Sequence, residues 1–222
     1  DVELELKAEG RQMRVKAGRS QLKLSCLPIE DFPQIGAGEL PTSITVPASD
    51  LRALVDRTRF AMSTEETRYY LNGIYFHPAD QEGVNVLRAV ATDGHRLARF
   101  EMPLPEGAND MPGVIIPRKA IGELRKLIDE AADVITIELS EAKIRFTFDH
   151  VILTSKLIDG TFPDYQRVIP EGNDKIVEVD PKMFTAAIDR VSTISDGKSR
   201  AVKVAMNGKQ MTISASSAES GS

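Results

Sequence analysis

The residues with the clearest chemical potential lie in the segment ATDGHRL at 91–97. Asp93 and His95 are two positions apart, and a carboxylate that orients an imidazole is a common arrangement for general acid–base catalysis. The Asp-Gly pair between alternating residues is also typical of a tight hairpin turn, which requires no chemistry. The residue types favour the turn, and the acid–base pair is the alternative.

Signatures of other chemistries are missing from the sequence. It contains no phosphate-binding Gly-x-x-x-x-Gly-Lys-Ser/Thr loop, no Gly-x-Ser-x-Gly nucleophile elbow and no His-Glu-x-x-His metal motif. One Cys and three scattered His make a structural zinc site an unfavourable interpretation. No gathered carboxylates suggest the metal site of a polymerase. We therefore predict no catalytic residue, no metal and no cofactor.

Composition places the chain among ordinary globular proteins. Its 222 residues are 41% hydrophobic and 27% charged. No apolar run approaches the roughly 20 residues needed to cross a bilayer, and no signal peptide is evident, so we expect a cytoplasmic protein without a membrane partner. The net charge of −5 excludes a globally basic nucleic-acid binder but allows a locally basic surface.

The hydrophobic periodicity predicts an α+β fold with helices at 47–63, 117–131 and 179–195. Alternating apolar residues predict strands elsewhere. These predicted strands cover 2–6, 13–17, 22–26, 43–46, 68–76, 84–92, 96–101, 134–139, 143–148, 151–157, 202–206 and 210–215.

An internal repeat indicates how these elements are organised. The pattern Leu-x-x-x-x-Phe-Pro at 27–33 recurs at 157–163, and the helical pattern at 46–57 recurs at 179–190. The offsets are close to 130 residues, and chance similarity between amphipathic elements is the alternative explanation. The repeat predicts three modules. Residues 1–41 are the C-terminal part of the first, 42–173 the complete second, and 174–222 the N-terminal part of the third.

Four ordered motifs resemble those of the bacterial sliding clamp, the beta subunit of DNA polymerase III. They are RYYLNG at 68–73, ATDGHRL at 91–97, PRK at 117–119 and SKLIDGTFPDY at 155–165. The resemblance implies modules of two helices packed on antiparallel sheets, and a homodimeric ring around double-stranded DNA. It also implies a processivity factor that tethers the replicative polymerase, without chemistry of its own. An enzyme domain, such as a hydrolase or a nucleotidyltransferase, is the competing hypothesis.

A basic helix face is the feature that favours DNA contact. In the predicted helix at 117–131, the cationic residues lie opposite the apolar stripe, although a merely solvated face is the alternative. The resemblance adds an arginine and two tyrosines at the edge of the hole, one tyrosine being expected in the core because neighbours on a strand point to opposite faces. The predicted DNA-facing residues are Arg68, Tyr69, Tyr70, Arg118, Lys119, Arg125, Lys126 and Arg167.

The resemblance also implies a pocket for a clamp-binding peptide. Its expected partners are the polymerase alpha subunit, the clamp loader and repair polymerases. Four apolar residues would form its wall and three polar residues its rim, although an ordinary core position would also explain the apolar four. The matching positions are Leu71, Thr92, Gly94, His95, Arg96, Leu97, Pro163 and Val168.

The subunit contact of the ring is implied in the same way. Leu22 and Leu24 match the apolar positions on one side of that contact. Thr193 and Ile194 match the other side. Thr193 departs from the apolar residue that the family pattern has there, which would weaken the contact.

Overall fold

The computed structural model describes residues 4–9, 11–32, 38–129, 133–193, 201–208 and 210–215. The chain divides into two compact units, Asp1–Asp164 and Tyr165–Ser222. Among the described residues, the first unit contains three antiparallel sheets and two α-helices. The second contains one α-helix and a β-hairpin. None of the helices in these ranges is long and apolar enough to cross a membrane.

The first sheet is a three-stranded meander, as the alternation near the start of the chain predicts. Its strands β1 (Leu4–Glu9), β2 (Gln12–Ala17) and β3 (Ser20–Ser25) pair antiparallel in that order. Leu22 and Leu24 of β3 are 56% and 48% exposed. This sheet therefore presents apolar side chains at its surface.

Two four-stranded antiparallel sheets complete the strand structure of the first unit. The first consists of β4 (Thr42–Pro47), β9 (Val134–Leu139), β10 (Lys143–Phe148) and β11 (Val151–Lys156), paired in the order β11-β10-β9-β4. The second consists of β5 (Gly73–Gln81), β6 (Val84–Thr92), β7 (Leu97–Pro103) and β8 (Val114–Pro117), paired in the order β7-β6-β5-β8.

Helices α1 (Ala48–Asp56) and α2 (Arg118–Ile128) share one apolar core with both four-stranded sheets. Leu54 and Leu124 are fully buried in it, together with Ile137 of β9 and Phe76 of β5. Burying side chains of this size stabilises the fold by about 1.5–3 kcal/mol each. Because the apolar sides of both helices face this core, their polar sides are left at the surface.

Helix α1 is shorter than predicted. It ends at Asp56, and a 3-10 turn follows at Arg59–Ala61. The Thr58 hydroxyl donates to the Leu54 carbonyl at 2.6 Å, an interaction that competes with continuation of the helix. Thr58 and Met62 are nevertheless buried, which explains why the apolar stripe extended past the helix end. Helix α2 likewise ends three residues before the predicted limit.

The predicted strand at 68–76 is wrong in its first half. Residues Glu66–Leu71 form a 3-10 helix, and the strand begins at Gly73. The Asn72 amide donates to the Tyr69 carbonyl, and the Asn72 side chain donates to the Glu65 carbonyl, so this turn closes on itself. The tyrosines therefore do not alternate across a sheet. Tyr69 is 54% exposed, Tyr70 is half-buried, and neither lies in the core.

The second unit carries helix α3 (Pro181–Ser192) and the hairpin of β12 (Lys203–Asn207) and β13 (Gln210–Ser214). The helix starts two residues later than predicted because Asp180 is its N-cap, its carboxylate accepting from the Met183 amide at 2.8 Å. Proline at the first helical position agrees with this start. No residue of α3 is fully buried.

Candidate functional site

The surface between α1 and α2 carries a dense set of ion pairs. The Arg125 Nε donates to Asp56 Oδ1 at 2.7 Å, and Arg125 Nη1 lies 2.7 Å from Asp129 Oδ2. Arg52 lies 3.2 Å from Asp129 and 3.7 Å from Asp56, and Arg59 lies 3.3 Å from Asp56. We call these five residues the arginine–aspartate network. It connects the ends of the two helices.

The network changes the electrostatics of its members. Burial alone would raise the pKa of Asp56, but the hydrogen bond from Arg125 and the charges of Arg125, Arg59 and Arg52 outweigh it and lower that pKa. Hydrogen bonds to Asp56 and Asp129 raise the pKa of Arg125. The network therefore favours the ionised forms of both Asp56 and Arg125.

Two of the four α2 cations that are predicted to face DNA are held by other segments of the first unit. The Arg125 side chain is 14% exposed because it lies against α1. Arg118 donates through Nη2 to the carbonyls of Met62 and Ser63, both at 2.6 Å. These acceptors are 55 to 69 residues away in sequence. Periodicity within one helix could not reveal them.

The two lysines of α2, Lys119 and Lys126, are exposed. Lys126 pairs only loosely with Glu123 on the same helix, at 3.0 Å and with a 72% exposed side chain. Arg167 lies in the second unit, in the 3-10 helix Tyr165–Val168, and is exposed.

The 3-10 helix Glu66–Leu71 packs against two other segments of the first unit. Arg68 forms an ion pair with Glu65 at 3.4 Å. A Cβ atom added to Gly94 would lie 2.7 Å from Arg68 Nη1, so this guanidinium rests against the 93–96 turn. The Tyr69 and Tyr70 rings meet edge to face at 5.7 Å, and Gly160 fits closely against both. The structure therefore brings the two tyrosines beside the SKLIDGTFPDY motif and Arg68 beside the 93–96 turn.

Asp93 organises the turn between β6 and β7. Its carboxylate accepts from the amides of His95 and Arg96 at 2.9 and 3.0 Å and from Arg96 Nε at 3.0 Å. Burial opposes ionisation, but the hydrogen bonds from Arg96 and His95 outweigh it, so the pKa of Asp93 lies below its usual value. Asp93 is thus committed to the turn backbone, not to the imidazole of His95. Gly94 has a φ of 89°, which favours glycine.

A cavity of about 230 Å³ opens beside this turn. Only His95 and Arg96 of the eight predicted pocket residues line it. Two further wall residues, Asp93 and Arg118, are predicted in other roles. Sequence reasoning missed the remaining positions, since nothing in their local pattern marks them as pocket residues. These are Phe60, Met62, Ser63, Thr64 and Glu65. The Arg96 guanidinium lies 5.7 Å from the centre of the Phe60 ring, a cation–π contact that fixes the cavity rim.

The other predicted pocket residues lie on several different elements. Leu71 is buried directly before β5, and Thr92 closes β6 with its hydroxyl on the Arg96 carbonyl at 2.8 Å. Leu97 is half-buried at the start of β7, and Pro163 is exposed. By the register of β5 with β6, Leu71 and the 92–97 turn lie at the same end of one sheet. Val168 belongs to the second unit and is exposed.

The predicted subunit-contact residues lie on separate elements. Leu22 and Leu24 are exposed on β3. Thr193 caps the end of α3, its hydroxyl donating to the Asp189 carbonyl at 3.0 Å. Ile194 lies outside the described residues.

The histidines do not gather. Within the described ranges, no group of three or more His, Cys, Asp or Glu side chains could hold a metal ion. His77 stacks on Tyr75 at 4.6 Å, and Tyr75 stacks on Phe162 at 4.9 Å. Burial lowers the pKa of His77, which keeps it neutral in this stack.

Comparison with known proteins follows the same division of the chain. The family model of the DNA polymerase III beta subunit, central domain, matches residues 45–164, and the model of its C-terminal domain matches residues 166–222. The chain belongs to the DNA polymerase III beta subunit family. The resemblance read from the four motifs is thereby confirmed.

Curated relatives carry the description "Beta sliding clamp". The protein from Caulobacter vibrioides is 49% identical over all of this chain and 59% of its own length. The Escherichia coli K12 protein is 36% identical over 98% of this chain and 58% of its own length. This chain thus spans a little under three-fifths of these relatives.

Solved structures agree in fold. A DnaN sliding clamp from Bartonella birtlesii, bound to griselimycin, has a TM-score of 0.91 and 51% identity, covering 99% of this chain and 59% of that one. A beta sliding clamp from Caulobacter crescentus also has a TM-score of 0.91, at 49% identity over 99% of this chain and 58% of that one. The predicted clamp fold of helices on antiparallel sheets is confirmed.

Proposed function

We propose that the chain is part of a ring-shaped DNA clamp that encircles duplex DNA and acts as a processivity factor for a replicative polymerase. Family membership and the exposed cations on the polar side of α2 support this proposal. Phosphate contacts without base readout allow sliding, because they do not depend on sequence. The protein would act in the cytoplasm and perform no chemistry itself.

The ring requires a homodimer. In this proposal Leu22 and Leu24 of one subunit contact the region of Thr193 and Ile194 in the other. The modules are 1–41, 42–173 and 174–222. The exposure of both leucines on β3 supports this assignment.

The decisive experiment tests topological retention. The full-length protein is loaded onto a nicked circular plasmid, and retention is compared before and after linearisation. A ring should stay on the circle and slide off the linear form. Equal retention on both would contradict encirclement. A DNA-dependent turnover of added substrates would favour the enzyme hypothesis instead.

The DNA-facing assignment has its own test. Changing Lys119 and Lys126 to Ala should weaken duplex association and reduce its salt dependence by about 0.9 in slope for each lost phosphate contact. Both side chains are exposed, so folding should not change. The matched control replaces Lys156 and Lys175, which are exposed but lie off the helices. Equal loss in both variants would contradict the assignment.

We further propose that clamp-binding peptides of the polymerase alpha subunit, the clamp loader and repair polymerases bind beside the 92–97 turn. Leu71, Leu97, Pro163 and Val168 would supply apolar contacts, and Thr92, His95 and Arg96 the polar rim. Peptide titration should show that Leu97→Asp abolishes binding of a Gln-x-x-Leu-type peptide. Val84→Asp, at the opposite end of the sheet, should leave it unchanged. Loss of binding in both would indicate general damage.

A further inference from the structure

The two carboxylates of the arginine–aspartate network occupy unfavourable places on their own helices. Asp56 is the last residue of α1, and Asp129 is the C-cap of α2. The C-terminal end of a helix carries partial negative charge, which repels a carboxylate and attracts a cation. Local helix electrostatics therefore do not explain either aspartate. The guanidiniums around them do.

The balance of charge in the network is nearly even. Two carboxylates face three guanidiniums, so five ionised groups carry a net charge of about +1. Four of the five side chains are between 33% and 53% exposed, and only Arg125 lies deeper. The network is thus a solvent-accessible surface in which most of the positive charge is already compensated.

We propose that Asp56 and Asp129 act as built-in counter-anions that limit how strongly this helix face holds DNA. The proposal rests on the proposed function, because it assumes that α1 and α2 face duplex DNA. The aspartates occupy the guanidinium edges that a phosphate would otherwise bind. Arg52 and Arg59 therefore stay near the DNA but bind its phosphates only weakly.

The physical basis is competition for the same donors. A guanidinium binds carboxylate and phosphate through similar paired N–H contacts. A free cation that meets a phosphate releases counterions from the DNA, whereas a cation already neutralised by a carboxylate gains less. A sliding protein needs this moderation, since each strong phosphate contact must break before the next position is reached.

The test removes one counter-anion without loosening the helices. Asp129→Asn removes the charge that neutralises Arg52 Nη1 and one edge of Arg125, while Asp56 still holds Arg125 at 2.7 Å. Asn has nearly the same shape as Asp, and residue 129 is in the right-handed helical region with φ of −67°, so the helix end should be kept. The matched control is Glu138→Gln on β9, which makes the same charge change and also breaks an arginine pair, with Arg145 at 3.5 Å. Affinity for a labelled duplex is measured by fluorescence anisotropy over a series of salt concentrations, and thermal melting checks the fold.

We expect Asp129→Asn to bind duplex several-fold more tightly at about 50 mM salt, with a salt slope steeper by about 0.9 for one gained phosphate contact. Glu138→Gln should stay close to wild type, and Asp129→Glu should restore wild-type binding. Equal tightening in Asp129→Asn and Glu138→Gln, or none in Asp129→Asn, overturns the inference while leaving the proposed function intact. A wild-type protein without salt-dependent duplex binding overturns both. If Asp129→Asn does not fold, Asp129→Gly serves in its place.

Discussion

Helices α1 and α3 match each other in sequence at an offset of 133, yet their environments differ. In α1, Leu51 and Val55 are fully buried. Their counterparts in α3, Phe184 and Ile188, are only half-buried within their own unit. An amphipathic pattern therefore specifies a helix and its apolar side. The burial that stabilises it depends on the sheets around it.

The largest expected difference in stability is between substitutions at Leu51 of α1 and at its counterpart Phe184 of α3. Leu51→Ala should lower the free energy of unfolding by about 2–5 kcal/mol, because it leaves a cavity in a closed core. Phe184→Ala should cost clearly less in the 222-residue chain, because the ring keeps solvent contact there. Urea unfolding of the two variants measures both values. Equal losses would mean that the two helices are equivalently packed.

Asp56 should make the stability of the protein depend on acid pH, and its α3 counterpart Asp189 serves as the comparison. Asp56 has a lowered pKa in the folded state, so its contribution is present above its unfolded value near 3.8 and is lost as the pH falls through the folded value. Asp56→Asn should destabilise the protein by about 1 kcal/mol near neutral pH and flatten this acid dependence. Asp189→Asn is the matched change in α3. Thermal melts between pH 2 and pH 7 would distinguish them, and parallel profiles would contradict the difference.

Arg57 and its α3 counterpart Arg190 should give the smallest difference in stability. The Arg57 guanidinium lies 5.3 Å from the centre of the Phe100 ring, a contact worth about 0.5–1 kcal/mol at an exposed site. Arg57→Ala should lose that amount, whereas Arg190→Ala should stay within about 0.5 kcal/mol of wild type. Chemical denaturation with replicate curves can resolve this difference. A larger loss in Arg190→Ala would reverse the comparison.

The sequence predicted those features that local patterns specify. Alternation predicted most of the strands but not β8, and the Asp-Gly pair predicted the turn at Asp93, because both signals are complete within a few residues. Contacts between distant segments lie outside such signals. Arg118 is held by carbonyls at 62 and 63, and Arg125 by Asp56, none of which α2 can reveal. The motif at 68–73 failed as a strand because Asn72 closes a 3-10 turn on Glu65 and Tyr69.

Candidate site residues divide in the same way. The 92–97 turn could be located from its own sequence, but the cavity beside it could not. Phe60 and Thr64 reach the cavity because α1 ends early and the chain turns back past β6. Long-range placement of that kind has no periodic signature. Family resemblance supplied the predicted pocket, and it did not include these two positions.

The contact between Arg68 and Gly94 has a consequence for genetics. A side chain at 94 would meet the Arg68 guanidinium and would also strain a backbone with φ of 89°. One codon change there would disturb the peptide turn and the neighbouring arginine together. Alleles at this position would therefore be pleiotropic, whereas alleles at Lys119 or Leu97 would separate a defect in DNA association from a defect in peptide binding. A mutant screen should treat position 94 as uninformative about which surface a defect affects.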